Sequence, residues 1–407
     1  MNRLILIGNG FDLAHGLKTS YKDFIFWYLD ECFNQAGMYA NGHFYEDDFL
    51  RVEVLEHYRL MDLVKSSGNK GISRYLHENE ILKSYLDFVP REYVSPNNIE
   101  KYQYISKISA HNVSFKSSFF KRLIDTCLDC GWVDIEQEYF DALKKYNDKD
   151  NTHNLDYICT LNKHFAFLIR KLEGYLSIEE KRCMVVCDQK FVNLFNSNFV
   201  FLDYDLMVDK DRTLVENAMK MAESTENNYT TYVLNFNYTK TFQTYLPKLR
   251  SKESILNHIH GELNNYSNPI IFGFGDEHDK EYLQFEEQGN NDLFEHVKSY
   301  HYLKTSNYRN LMRFLNADNY QVFVVGHSCG LSDRTMFKEI FDHENCKSVR
   351  IFHYTDSNGK NDFFDKTINL GRHFSDKGRM RKLIVEFSET DSIPQWFSGS
   401  VEEAIVV

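Results

Sequence analysis

The chain has 407 residues, of which 43% are hydrophobic and 15% aromatic, and it contains only 5 prolines. This composition predicts a globular protein with a substantial core and excludes an intrinsically disordered chain. The formal net charge is −12, and because nonspecific nucleic-acid binding requires a basic surface, that function is disfavoured.

The cysteine content and the N-terminal residues indicate the compartment. Eight cysteines in so long a chain do not form a disulfide framework. The apolar run at residues 4–7 stops at Gly8 and is too short for a secretory signal or a membrane span. We therefore expect a cytoplasmic protein without a membrane partner.

The first predicted element is a short buried strand at residues 3–8, which the sequence Gly8-Asn9-Gly10 breaks sharply. From about Tyr21 the apolar residues favour a helix. A strand, a glycine turn and a helix at the start of a chain are typical of nucleotide-binding α/β domains.

Residues from about 35 to 225 are predicted to be mainly helical. Apolar side chains recur there at helical intervals, as in Leu161, Phe165, Leu168, Leu172 and Leu176. After residue 230, short hydrophobic runs separated by turn or helix segments are typical of buried parallel strands. These runs are residues 231–236, 255–259, 269–273, 321–326, 348–354 and 382–387.

Together the elements predict an α/β fold with a Rossmann-like, mostly parallel sheet and a large helical insertion. Residues 1–34 and 226–407 are expected to form the nucleotide-binding core, and residues 35–225 the insertion. Open parallel sheets bind ligands at the carboxyl ends of their strands, so we expect the site there.

The turn after the first strand is the first candidate for ligand binding. Gly8 and Gly10 permit a tight turn and let backbone N–H groups approach a phosphate, with Asn9 and Phe11 beside them. Valine at position 10 is expected to block this site without disturbing the fold. Asp12 is interpreted either as a partner of a sugar hydroxyl or as a helix cap.

Polar residues also end or follow other predicted strands. Asn235 and Asn237 are expected to face the same way and can both donate and accept hydrogen bonds, although asparagine is also common in turns. His258 and His260 have the spacing of metal ligands on one strand face, and either histidine would suit a catalytic base near neutral pH. Asp276 is a ligand contact or, slightly favoured, a loop acid.

The segment 324–333 predicts a strand, a small-residue turn and a helix. Gly326, His327 and Ser328 are candidates to hold a phosphate or a ribose, and Ser332 or Asp333 is a natural helix N-cap.

Two further interpretations remain open at this stage. Residues 326–330 have the Gly-x-Ser-x-Gly pattern of a hydrolase nucleophile elbow, with Ser328 as the nucleophile and His343 or His353 as partner. A zinc site is the other, although buried free cysteines are common, and its ligands would be Cys127, Cys130, Cys183 and Cys187.

Taken together, these motifs resemble the AbiH family of bacterial phage-abortive-infection proteins. The resemblance extends along most of the chain and is specific as a set. It rests on residues 8–17, 19–21, 132–136, 235–239, 258–261, 273–276 and 326–333.

AbiH proteins in turn distantly resemble the sirtuin-like NAD-binding fold. Gly8, Gly10 and Gly16 keep the spacing of the sirtuin-like glycines, and three later motifs follow in the same order: an Asn-containing strand end, a His-Gly pair and a ribose-binding turn. These are similar to residues 236–238, 260–261 and 326–328. The chain departs from sirtuins at Thr239, where they have Asp, and its cysteine pairs precede the Asn motif, so an acyl-lysine groove is not expected.

The resemblance implies an antiphage protein that hydrolyses the nicotinamide–ribose bond of NAD, with NAD as substrate or ligand and no prosthetic group. It implies Asn237 and His260 as catalytic residues, with His260 accepting a proton from water. Residues 8–12, 326–328 and Asp333 would hold the nucleotide. A phage protein as trigger or a second copy of the chain are the expected partners.

Two other functions remain as alternatives. One is a noncatalytic nucleotide sensor, which would need the glycine turns but not His260. The other is a metal-dependent phosphoesterase that uses His258, His260, Asp276 and His327.

Overall fold

The computed structural model describes residues 1–37, 42–88, 99–130, 134–146, 154–197, 199, 213, 216–217 and 228–395. The chain divides into two compact units. One unit comprises residues 1–19 and 176–407, and the other comprises residues 20–175. In the part of the chain that the structure describes, every helix is too short or too polar to cross a membrane.

The strands are β1 (Asn2–Ile7), β2 (Phe44–Glu46), β3 (Leu50–Val54), β4 (His111–Phe115), β5 (Thr230–Asn235), β6 (Glu253–His258), β7 (Tyr320–Val325) and β8 (Cys346–Phe352).

The α-helices are α1 (Asn9–Ala14), α2 (Tyr21–Gly37), α3 (His57–Ser67), α4 (Ile72–Glu78), α5 (Leu82–Leu86), α6 (Ile99–Ile108), α7 (Ser118–Cys130), α8 (Ile135–Tyr146), α9 (Asn154–Arg182), α10 (Gln189–Phe195), α11 (Lys280–Gln288), α12 (Lys298–His301), α13 (Asn307–Ala317), α14 (Arg334–Asp342), α15 (Phe363–Gly371) and α16 (Lys377–Leu383). Short 3₁₀ helices include Thr241–Thr244, Tyr302–Lys304 and Leu331–Asp333.

The first unit contains a five-stranded sheet in the order β6-β5-β1-β7-β8. All four strand pairs are parallel, and Ile5 of β1 lies opposite Val233 on one side and Phe323 on the other. Counted along the chain this order is 3-2-1-4-5, the Rossmann arrangement, in which the strand order reverses beside the first strand. The predicted Rossmann-like parallel sheet is confirmed, and its reversal point lies between β1 and β7.

Both faces of this sheet are buried. Leu4 and Leu6 pack into one hydrophobic cluster, whereas Ile5 and Ile7 pack into another, because successive side chains of a strand point to opposite faces. Burial on both faces explains why the strands read as unbroken hydrophobic runs. The helix predicted after the turn at residues 326–330 is α14, and it buries Phe337, Ile340 and Phe341.

The second unit is mainly helical, and α2 begins at Tyr21 as predicted. It also contains a three-stranded antiparallel sheet in the order β2-β3-β4, which was not predicted. The signal was present in β3, where buried Leu50, Val52 and Val54 alternate with half-buried residues.

Two predicted strands are wrong. Residues 269–273 form an irregular segment with one ladder-like bond, from the Ile271 N–H to the His260 carbonyl. Gly273 there has a φ of +154°, which a strand residue does not adopt. Residues 382–383 are the end of α16, and residues 384–387 contribute only an isolated bridge between Ile384 and Val349. Ile271, Phe272 and Leu383 of these segments are buried, which accounts for their hydrophobic residues although neither segment forms a strand of the sheet.

Candidate functional site

The polar residues singled out in the sequence lie at the carboxyl ends of the parallel strands. The turn Gly8–Gly10 follows β1, Asn237 follows β5, His260 follows β6 and Gly326 follows β7. Parallel strands end at the same edge of a sheet, so these turns gather around the point where the strand order reverses.

The two glycine turns pack directly against each other. The Gly8 N–H donates to the Val325 carbonyl at 3.1 Å, and the Gly10 N–H donates to the Gly326 carbonyl at 2.8 Å. A Cβ at Gly8 would lie 2.6 Å from the Cα of His327. The glycines therefore allow two backbones to meet, and their N–H groups already have partners within the protein.

Asn9 and Phe11 have different environments. Asn9 is exposed, and its amide exchanges two hydrogen bonds with Thr19, one accepted from the Thr19 hydroxyl at 2.5 Å and one donated to the Thr19 carbonyl at 3.2 Å. Phe11 is fully buried and packs edge-on against Phe191 and Tyr245. Phe11 thus anchors the turn in the core, while Asn9 remains at the surface.

Asp12 lies inside α1 and is only 1% exposed, so its interpretation as a helix cap is wrong. Its Oδ2 accepts a hydrogen bond from the Thr239 hydroxyl at 2.6 Å, whereas its Oδ1 is buried without a hydrogen-bond partner. Burial raises the pKa of Asp12 to about 6, an effect that Thr239, Thr241 and Asn237 oppose and the charge of Glu180 reinforces. The carboxyl group therefore titrates close to neutral pH.

Asn235 and Asn237 connect neighbouring strand ends. The Asn237 N–H donates to Asn235 Oδ1 at 3.0 Å, and this bond directs Asn235 Nδ2 towards His258 Nδ1 at 3.2 Å. The Asn237 side chain donates from Nδ2 to the Gly8 carbonyl at 3.1 Å. Asn237 thereby joins the end of β5 to the turn after β1.

His258 is a buried, neutral histidine. It is 5% exposed, and burial lowers its pKa. Its Nδ1 lies 3.2 Å from Asn235 Nδ2, a donor, and 3.4 Å from the Asn237 carbonyl, an acceptor. Nε2 is buried without a hydrogen-bond partner, so His258 presents a polar ring nitrogen that no protein group uses.

His260 belongs to a separate, ionic network. Its Nε2 lies 2.9 Å from Asp333 Oδ1 and 3.2 Å from the Tyr302 hydroxyl, and Lys298 Nζ lies 2.9 Å from the same Asp333 oxygen. The two histidines 258 and 260 therefore do not share a strand face as predicted, because β6 ends at His258. Burial lowers the pKa of His260, although the charge of Asp333 opposes this effect.

Asp333 occupies the N-cap position of α14, but its side chain makes no capping hydrogen bond. Its carboxylate instead pairs with Lys298, which is 1% exposed, and with His260. Burial alone would raise the pKa of Asp333, but Lys298 and His260 hold it well below its ordinary value. Asp333 is therefore the N-cap residue, as predicted, but its carboxylate acts as an ionised centre and not as a capping group.

His327 and Ser328 follow β7. His327 is buried, accepts a hydrogen bond at Nδ1 from the Cys329 N–H at 2.9 Å, and has a pKa lowered to about 3, chiefly by burial. It is neutral and packs edge-on against Phe236 at 4.3 Å between ring centroids. Ser328 is exposed, and its carbonyl accepts from Asn369.

Ser328, the nucleophile of the possible hydrolase elbow, is not hydrogen-bonded to a histidine among the described residues. His353 bonds Thr355 and the Ser388 carbonyl, while His343 accepts from the Asn345 N–H. Neither histidine is bonded to Ser328, so a serine triad is not assembled.

The remaining sequence candidates are not arranged as a metal centre. Asp276 is buried and pairs with Arg334 at 3.1 Å, in keeping with a structural role for this loop acid. Within the described ranges no three His, Cys, Asp or Glu side chains converge to hold a metal ion. Trp132 and the side chain of Cys130 lie outside the described residues.

A separate cavity of about 420 Å³ lies in the same unit, lined by Glu277, Tyr282, Glu286 and Tyr300 among others. None of the predicted site residues lines it.

Sequence reasoning missed three residues of the site. Thr239 attracted attention only as a departure from sirtuins, yet its hydroxyl anchors Asp12. Lys298 and Tyr302, which complete the network around Asp333, lie in a polar stretch without periodicity. No local pattern predicts that this lysine is buried.

Comparison with known proteins gave one match. The family model described as "Bacteriophage abortive infection AbiH" matches residues 4–355 of the 407, which confirms the resemblance drawn from the motifs. A search of the curated proteins and a search of the solved structures found no match.

Proposed function

This chain belongs to the AbiH family of bacteriophage abortive infection proteins, and from that premise we propose that it is an NAD-binding hydrolase that cleaves the bond between nicotinamide and ribose. NAD is the substrate in this proposal and not a prosthetic group. Its depletion would remove the metabolism on which an infecting phage depends.

The observation that carries the proposal is the position of Asp12, Asn237 and His258. All three are buried polar groups at the carboxyl edge of a 3-2-1-4-5 sheet, where they follow or end β1, β5 and β6, and β1 borders the point where the strand order reverses. Ligands of open parallel sheets bind at such points. Two of the three present a buried atom without a protein partner, as expected of groups that bond a ligand or a water molecule.

The nucleotide phosphates are proposed to lie along the outer edge of the two glycine turns. The N–H groups of Gly8 and Gly10 are bonded within the turns and would not be the donors. Asn9 and Ser328 are the exposed polar residues of the two turns, and they stand on either side of the reversal point. They are therefore the better candidates for contacts with the phosphates.

Negatively charged side chains around the site suit this chemistry. Departure of nicotinamide leaves an oxocarbenium-like ribose, and the leaving group becomes neutral as it departs, so it needs no strong acid. The carboxylates of Asp12 and Glu180 interact with each other and would stabilise the positive charge on the ribose. Asn237, anchored on the Gly8 carbonyl, would orient the attacking water or a ribose hydroxyl.

His260 was predicted to accept the proton of this water, and that role stays a prediction. Its contacts favour a positioning role, because Nε2 already faces Asp333 and Tyr302. To accept a proton from water, the ring would have to leave one of these partners. We propose that His260 keeps the ring of Phe236 in position, since the two rings meet edge-on with their centroids 5.1 Å apart.

Nicotinamide release tests the proposal. The purified full chain is incubated with NAD, with and without phage lysate, and nicotinamide and ADP-ribose are quantified by chromatography. We expect stoichiometric release of both, and loss of release in Asn237→Ala but not in Asn316→Ala, a variant of an exposed amide on α13. The absence of both products under all conditions would refute hydrolysis.

A noncatalytic sensor is the second candidate. The engagement of both glycine N–H groups and of His260 with protein partners favours it, because such a site would hold a ligand without activating water. Binding of NAD by calorimetry with no nicotinamide release would support this alternative.

A further inference from the structure

The two oxygens of the Asp12 carboxyl group are held differently. Thr239 donates its hydroxyl to Oδ2 at 2.6 Å, and Thr241 supports it by donating to the Thr239 hydroxyl at 3.3 Å. Oδ1 has no hydrogen-bond partner although it is completely buried. One oxygen is therefore fixed and the other is available to a bound group.

A buried acceptor without a partner is costly and calls for a physical explanation. In folded proteins the usual partner of such an atom is a bound water molecule or a ligand group. Asn237 lies beside the Asp12 carboxyl group, since its side chain lowers the pKa of Asp12, and its backbone carbonyl lies 3.4 Å from His258 Nδ1. Asn237 thus lies between Asp12 and His258, and each of these two residues has one buried polar atom without a hydrogen-bond partner, Asp12 Oδ1 and His258 Nε2.

We propose that Asp12 accepts the proton of the attacking water through Oδ1, while Thr239 keeps the carboxyl group in place through Oδ2. This assignment rests on the proposed function. The water oxygen bonds to C1′ of the ribose, the C1′–N bond breaks, and its electron pair neutralises the pyridinium nitrogen of departing nicotinamide. The water proton moves to Asp12 and from there to solvent, so NAD and water give ADP-ribose, nicotinamide and one proton.

The charges around Asp12 suit this role. Burial raises its pKa to about 6, and Glu180 from the end of α9 adds to the effect. Cys183, on the same side, also interacts with Asp12, while Lys240 and His258 interact with each other nearby. A carboxylate with such a pKa is ionised at pH 7.5 and is a better base than an exposed aspartate.

Asp12→Asn is the direct test, because the amide can still accept from Thr239 but cannot take a proton. Nicotinamide release from NAD is measured between pH 5 and 8.5. Wild-type kcat/KM is expected to fall tenfold per pH unit below about 6 and to level off above it. The variant is expected to lose about 10²–10⁴-fold in rate, to lose this pH dependence, and to bind ADP-ribose within about threefold of wild type.

Thr239→Val provides a second readout that a merely structural role would not move. Removal of the hydroxyl that lowers the pKa of Asp12 should shift the midpoint of the pH–rate profile upwards. Asp365→Asn, which removes an exposed carboxylate in α15, is the matched control and should keep the wild-type profile.

The outcomes separate this inference from the proposed function. Suppose that wild-type protein releases nicotinamide. If Asp12→Asn then keeps more than a tenth of the wild-type rate, or if Thr239→Val has an unshifted pH–rate profile, Asp12 is not the proton acceptor although hydrolysis stands. If wild-type protein releases none, the proposed function fails and the assignment of Asp12 is overturned with it.

Discussion

Replacement of Asp12 by asparagine is expected to stabilise the unit of residues 1–19 and 176–407 at alkaline pH. In the folded chain the pKa of Asp12 is raised from 3.8 to about 6, mainly by burial. Between these values the folded state binds a proton that the unfolded chain has released, so the free energy of unfolding falls as the pH rises through this window. Asparagine mimics the neutral acid and removes this dependence.

The size of the effect follows from the two pKa values. A difference of about two pH units corresponds to about 3 kcal/mol, because each unit is worth 1.36 kcal/mol. The full penalty is present above pH 6, where both states are ionised, and nearly absent near pH 4. Asp12→Asn should therefore be about 3 kcal/mol more stable than wild type at pH 8 and within about 1 kcal/mol of it at pH 4.

The assay has to report the unit that contains Asp12. Hydrogen exchange of a peptide that covers β1 (Asn2–Ile7) does so, whereas the fluorescence of Trp27 reports the other unit. Asp365→Asn should change stability by less than about 0.5 kcal/mol at both pH values. If Asp12→Asn is equally or less stable than wild type at pH 8, Asp12 carries no penalty for ionisation and the reasoning on its burial is refuted.

Three further predictions test other parts of the site. Asp333→Asn should lower the free energy of unfolding in urea by about 3–5 kcal/mol, because it leaves the Lys298 ammonium buried without its carboxylate. Adding Lys298→Met to the same chain should recover at least half of this loss. No recovery would contradict the pairing. Gly326→Ala should cost at least about 2 kcal/mol, since φ is +71° and the new Cβ would lie 2.3 Å from a backbone nitrogen, whereas Gly359→Ala, with φ +81° in open space, should cost about 1–2 kcal/mol; equal costs would show that the turns do not pack as described. His260→Ala should abolish nicotinamide release and preserve NAD affinity by calorimetry, whereas full activity would exclude both a catalytic and a positioning role.

The parallel sheet was predictable because burial of a strand on both faces leaves a signal in the sequence of that strand alone. A strand buried on both faces is hydrophobic at most positions, as are residues 4–7 of β1 and all residues of β7 except Gln321. The same rule misled at residues 269–273, where Ile271 and Phe272 are buried in an irregular segment. Hydrophobic runs report burial, and only backbone pairing makes a run into a strand.

The location of the site was also predictable, whereas its electrostatic organisation was not. Asn237 and His260 each lie two residues after the end of a strand. The topology of a parallel sheet brings such residues to one edge. The pairing of Asp333 with Lys298, 35 residues away, depends on the path of a segment with no periodic signal. Sequence position therefore brought these residues to one edge of the sheet but could not separate the ionic network of His260 from the buried polar groups of Asp12 and His258.

The role of the glycine turn shows why this distinction matters for experiments. A glycine that admits a phosphate and a glycine that admits another backbone have the same sequence pattern. At Gly10 the second case holds, because a Cβ would lie 2.9 Å from both the Cα and the carbonyl oxygen of Gly326, and the Gly10 N–H bonds that same carbonyl. Valine at position 10 would force the two turns apart, so the expectation that it blocks the ligand without disturbing the fold is wrong. Loss of NAD binding in such a variant would report the junction of β1 and β7 and could not be attributed to a lost ligand contact.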